Sequence, residues 1–288
     1  MLLFGLGKKK EEVKIEPACA CNGEVATYEA SSCCCGGQQV ENCCGGDNKV
    51  TSIKVLGAGC KSCHDQYENV KKAIEDGTLG KPFYIESRVQ GSKGIPGDWR
   101  CVKETGGGML LDWGVHLIDQ IMWMVDSPVT EVYAHLLSVK FPEVDDNFKL
   151  LLRFENGLSA LVEVDTYTFI NLPRWHVSGD AGTLQIDSFS CDGRIVRAKN
   201  SEMHWESGIV YTAAGPTRTM APRPKETIEQ IELPEVACDA RDYYRNFRDA
   251  DLGLTELIVK PEEALRVMRV IDAVFESART HASISVRL

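Results

Sequence analysis

Gly106-Gly107-Gly108-Met109-Leu110-Leu111-Asp112-Trp113-Gly114-Val115-His116-Leu117-Ile118-Asp119 is the stretch on which the reading of the fold turns. Three glycines lead into helical periodicity: Leu110, Trp113, Leu117, Ile121 and Met124 recur at spacings of three and four. Asp112, His116 and Asp119 stand at i, i+4 and i+7 and share one strip of the expected helix. An imidazole beside carboxylates is the equipment of proton transfer, since histidine titrates near neutral pH and a carboxylate can orient it. The same spacing also fits a helix whose polar strip only faces water.

Outward from this run, Ile74 to Pro82 contains two Gly turns and leads into Phe83-Tyr84-Ile85-Glu86-Ser87, and Gly97-Asp98-Trp99-Arg100 follows. With the pattern GGGxxxDxGxHxxD, and with Pro261-Glu262-Glu263-Ala264 through Ala278 as a closing helix, residues 70–288 resemble the Gfo/Idh/MocA oxidoreductases. The resemblance implies the C-terminal domain of that family, with a large, mainly antiparallel sheet, substrate contacts and an oligomer interface. In complete members a Rossmann domain holds NAD(P), and a Lys, an Asp and a His form the catalytic set. By motif match Asp112 and His116 take the Asp and His places. The Lys place is not matched, because Lys81-Pro82 stands elsewhere in the pattern. The implied substrate is a sugar or polyol.

Strand patterns support an α+β fold with helices on one face of the sheet. Pro82–Gln90, 129–140, 147–155, 158–168, Trp175–Gly179, 183–189, 194–198 and 227–233 read as strands, and Asn156-Gly157 signals a type I′ hairpin turn. Residues 213–224, with prolines 216, 222 and 224, read as an irregular loop, and helices are expected near 239–250 and 261–281. A sheet face left bare of helices, if apolar, exceeds what a monomer tolerates, so a homo-oligomer through that face is expected.

The front of the chain has another character. All 15 arginines lie after residue 76, whereas nine of the 12 cysteines lie at or before Cys63. Residues 1–49 read as a flexible leader with cysteines grouped at 19/21, 33–35 and 43/44. Such thiols suit soft-metal capture or stay as a reduced tail, and zinc-finger spacing is absent. Residues 50–76 read as a strand and a helix around Cys60-Lys61-Ser62-Cys63 and resemble a truncated thioredoxin-like, redox-active disulfide fragment, which implies a fusion. A helix N-terminus favours the thiolate of the first Cys, so Cys60 and Cys63 are candidates for thiol–disulfide exchange. Gly57-x-Gly59 is an incomplete dinucleotide fingerprint. The 46 residues between Cys60 and Gly107 are too few for a Rossmann domain, so NAD(P) is implied by family with no binding site visible in this chain.

Three function classes follow: an oxidoreductase of the family type lacking its nucleotide domain, a thiol–disulfide oxidoreductase, or a non-enzymatic subunit. The net charge of −10 argues against nucleic acid or an anionic membrane as partner. No run approaches the ~20 apolar residues of a membrane span. Met1–Gly7 is too short for a signal peptide, so the expected location is cytoplasmic.

Overall fold

A computed structural model describes residues 61–288 apart from 200–207, 219–222, 237–238 and 240. Cys60, the Cys-rich leader and the strand expected before Cys60 lie outside these residues. Lys61–Leu288 forms one compact unit. Helix α1 (Lys61–Glu75) leads to strand β1 (Pro82–Gln90), and helix α2 (Val115–Met124) carries the back of the glycine-led motif. Strands β2 (Val129–Leu137), β3 (Asn147–Phe154), β4 (Ser159–Asp165), β5 (Trp175–Gly179), β6 (Gly182–Ile186) and β7 (Gly193–Ala198) follow. Next come β8 (Ile209–Thr212), β9 (Gly215–Arg218), β10 (Ile228–Ile231), helices α3 (Arg241–Asp251) and α4 (Pro261–Thr280), and β11 (Ile284–Ser285).

Nine strands form one sheet in the order β10-β7-β6-β5-β1-β4-β3-β2-β11. Every neighbouring pair is antiparallel except β1 and β4, which run parallel with Arg88 opposite Glu163. A parallel pair needs a long crossover, here supplied by α2, β2 and β3. The sheet is therefore two antiparallel meanders joined through β1.

Register assigns the two faces. In β3, Phe148, Leu150, Leu152 and Phe154 are buried while Lys149, Leu151 and Arg153 are exposed, a clean period of two. Val162 and Val164 of β4 continue the inner rows, as do Ile85 of β1, Trp175 and Val177 of β5, and Leu184 and Ile186 of β6. Helices α1, α2 and α4 cover that side, contributing Val70, Ala73, Leu117, Ile121, Val270 and Val274 to the core. Burying one such Leu or Ile contributes roughly 1.5–3 kcal/mol. The Ser277 hydroxyl pins α4 to the sheet, accepting from the Ala134 amide (2.9 Å) and donating to the Ala282 carbonyl (2.6 Å). Among the described residues no helix is long and apolar enough to cross a membrane.

Several local features differ from the sequence reading. The hairpin between β3 and β4 is not type I′. Phe154 O accepts from Gly157 N (3.0 Å), so Glu155 and Asn156 are the central residues, and only Gly157 takes a positive φ, of 88°. This is the three-residue loop in which a type I turn ends on a left-handed residue. Residues 213–224 are not a plain loop, because β9 pairs with β8 in a hairpin. The open sheet face is not apolar at its centre. Arg88 and Glu163, each with a side chain only 7% exposed, form an ion pair there, flanked by Glu86 and Lys149. Tyr133 and Leu151 are its exposed apolar residues.

Candidate active site

Two of the three glycines are pressed against different neighbours, while Gly106 turns the chain with a positive φ in open space. A Cβ on Gly107 would lie 2.6 Å from the Arg100 carbonyl oxygen. Gly108 has φ +107°, and its Cβ would lie 2.3 Å from Asp145 Oδ1. Only glycine allows both the backbone conformation and the close approach there. All the amides of this turn are engaged within the fold. Gly107 N donates to Val102 O (3.0 Å), Gly108 N to Arg100 O (2.9 Å), Met109 N to Asp145 O (2.8 Å) and Leu110 N to Asp145 Oδ2 (2.7 Å).

The motif helix opens irregularly. Leu110–Gly114 is a short π-helical segment before α2 begins at Val115. Such segments are rare and recur at functional sites. Asp112 stands on this segment and is half-buried, whereas His116 and Asp119 on α2 are exposed. Gly114 sits at the end of the segment, where a Cβ would lie 2.9 Å from Leu110 Cδ1 and 3.3 Å from Phe148 Cζ. We expect Gly114→Ala to cost about 1–3 kcal/mol by overpacking this junction. Chemical denaturation followed by circular dichroism measures it.

Asp112 accepts from Nε of Arg100 (2.8 Å), whose Nη1 donates to Asp98 Oδ2 (2.7 Å). The Asp98 carboxylate also caps the turn at Arg100 N (3.0 Å), which fixes Arg100 before it reaches Asp112. Burial works against the charge on Arg100, but the bonds and charges of Asp112 and Asp98 outweigh it and hold its pKa above the ordinary arginine value. No hydrogen bond joins Asp112 to His116 among the described residues, so the orienting partner of Asp112 is Arg100. The His116 ring stands edge-on to Trp113, with centroids 6.4 Å apart. Trp113 packs on Phe189 (6.2 Å), and the Arg174 guanidinium lies over Phe189 (5.3 Å) while donating to Ser87 Oγ (2.7 Å). Gln66 Nε2 holds the Ser188 carbonyl beside that wall (2.7 Å).

Asp145 is buried beneath the same turn. Burial pushes its carboxyl up to about 7; the neighbouring charge of Asp146 adds to this, and the amide bond from Leu110 opposes it. Sequence reasoning gave no part to Arg100 or Asp145. The signal for Arg100 was its place in Asp98-Trp99-Arg100, just before the glycines. Asp145 left none, being one acidic residue in the polar run Glu143–Asn147.

Of the other candidates, Cys63 falls in α1 with its side chain outside the described residues, as Cys60 is outright. Among the described residues no group of three His, Cys, Asp or Glu is placed to hold a metal. A cleft of about 900 Å³ lies between α1, the end of α2 and the start of α4. Asp119 lines it with Lys71, Trp123, Glu263 and Arg266, while Asp112 and His116 do not.

Residues 67–185 match the family model of the GFO/IDH/MocA C-terminal domain, a match that begins inside the helix read above as part of a thioredoxin-like fragment. The chain is similar to an NAD-binding protein from Listeria innocua of known structure, with 42% identity and a TM-score of 0.71 over 77% of this chain and 64% of that one. It is 25% identical to the scyllo-inositol 2-dehydrogenase (NADP(+)) IolW of Bacillus subtilis, over 76% of this chain and 61% of that protein. An uncharacterized oxidoreductase of Schizosaccharomyces pombe is also 25% identical, over 74% of this chain and 62% of that protein. The chain thus spans just over three-fifths of the length of these two curated relatives. The sequence match and the large, mainly antiparallel sheet point the same way: residues 67–185 are similar to a GFO/IDH/MocA C-terminal domain.

Proposed function

We propose that this chain is the substrate-facing part of a Gfo/Idh/MocA-type oxidoreductase acting on a sugar or polyol hydroxyl. Oxidising such a hydroxyl removes a proton from oxygen and a hydride from carbon. His116 takes the proton, being an exposed imidazole on the first turn of α2. Asp112, held by Arg100, receives a neighbouring substrate hydroxyl and fixes its direction. The observation that carries this reading is the Arg100–Asp112 pair at 2.8 Å, with side chains 12% and 17% exposed. A surface strip of merely solvated residues would not fix a carboxylate this way. Similarity to an NADP(+)-dependent inositol dehydrogenase and to an NAD-binding protein supports NAD(P) as the redox partner.

The glycine-led turn does not fit the dinucleotide itself. Its pyrophosphate needs free amides at a glycine-rich turn that opens a helix, and the amides of 107–110 are all engaged. The hydride half of the reaction is therefore not assigned to this turn. A dimer through the open sheet face is part of the proposal, with Tyr133 and Leu151 at its apolar contacts.

The test is turnover of inositols and aldoses with NAD(P) supplied, followed by nicotinamide absorbance. Arg100→Gln should lower kcat/KM about ten- to hundredfold, since a hydrogen bond to a charged group is lost from the carboxylate that orients substrate. If the wild-type chain neither binds nor turns over any of these substrates, the reading fails.

A further inference from the structure

We propose that Asp145 is the positioning residue of this site, clamping the first turn of the Asp112 segment through two groups and changing the hold on that turn when its carboxyl changes charge. Its main-chain carbonyl accepts from Met109 N (2.8 Å) and its carboxylate from Leu110 N (2.7 Å). These two amides open the helical run and have no partner within it, so the clamp alone satisfies them. Gly108 is shaped around the same carboxylate, since any Cβ there would strike Oδ1 at 2.3 Å. Two residues beyond Leu110 stands Asp112, on the π-helical segment that this clamp begins.

Asp145 is 8% exposed. An ionised carboxylate gives Leu110 a charge-assisted bond, shorter and stronger than the neutral acid gives, but burial resists the charge. The two tendencies balance near neutrality, because burial first, and then Asp146, raise the carboxyl to about 7. The other charged or titratable groups around it are Arg100 and Asp112, reached through Gly108, and Lys140 and the neutral Tyr167 beyond Asp146. The clamp is thus loose in acid and tight in base, and Asp112 meets Arg100 best above neutral pH. That this matters for turnover rests on the function proposed above; the clamp itself does not.

The experiment is nuclear magnetic resonance of the whole chain and needs no substrate. It is run in a His116→Gln background, so that no imidazole stands at the start of α2. The Leu110 amide and the Arg100 Nε–H signals should both move through one inflection near the value of about 7. Asp145→Asn keeps an acceptor without the charge, so both inflections should disappear. A flat Leu110 signal across about pH 5.5–8.5 would overturn the proposal, as would an inflection that survives in the Asn variant. If Leu110 titrates and Arg100 does not, Asp145 is a local cap only, and its positioning role is refuted. None of these outcomes depends on whether the chain turns over a sugar.

Discussion

Replacing Arg88 by alanine is expected to destabilise the fold by about 3–5 kcal/mol, the cost of leaving a buried charge without its partner. Arg88 sits in the middle of the open sheet face on β1, in register with Glu163 of β4. Its guanidinium bonds Glu163 and reaches Glu86 Oε2 at 2.5 Å, while Glu163 also takes Lys149 at 2.5 Å. Removing Arg88 leaves Glu163 buried with only the half-exposed Lys149. On a chain of this size the loss corresponds to a Tm drop of roughly 6–20 °C. Replacing both charges, as Arg88→Met with Glu163→Leu, should recover a large part, since apolar side chains carry no desolvation cost.

The pH dependence has a definite sign. Burial alone would raise the Glu163 pKa, but the contacts of Lys149 and Arg88 outweigh it and hold the carboxyl below the ordinary glutamate value. The pair therefore stabilises the fold above the unfolded-state glutamate value of about 4.3 and fades as pH falls through the lower native value. Without Arg88, Glu163 protonates more readily, so the deficit should shrink in mild acid. Urea unfolding at neutral and at mildly acid pH measures both effects. An Arg88→Ala protein as stable as wild type at neutral pH would show that the open face is wetter than its geometry indicates.

His116→Ala is expected to lower kcat at least a hundredfold and up to about ten-thousandfold for any sugar or polyol that the wild type oxidises, the usual contribution of a positioned acid–base group. Stability should stay within about 0.5 kcal/mol, because the ring is exposed and touches Trp113 only edge-on. The two readouts together separate catalysis from packing. Unchanged turnover in His116→Ala would assign the proton to another group, and unchanged turnover in Arg100→Gln as well would move the site away from this helix.

The periodicities fixed by chain neighbours were readable from sequence alone. Asn147–Phe154 alternates between core and solvent because successive strand side chains point to opposite faces. Pro261 stands at the first turn of α4, whose buried face recurs at helical spacing through Val267, Val270, Ile271 and Val274. Pro82–Gln90 and Trp175–Gly179 fall where their patterns put them. Asp112 and His116 stood out because the glycine-led motif is local too.

Distant contacts decided the rest. The parallel pairing of β1 with β4 joins residues 75 positions apart, Arg88 and Glu163, and no local pattern encodes it. The π-helical segment opens where Asp145, 35 positions from Leu110, bonds its first turn, and ends at Gly114 beside Phe148. On that segment Asp112 meets Arg100, a partner that its spacing along the helix does not reveal. Hydrophobic period depends on neighbours along the chain, whereas the partner of a buried charge depends on which segments the closed sheet brings together.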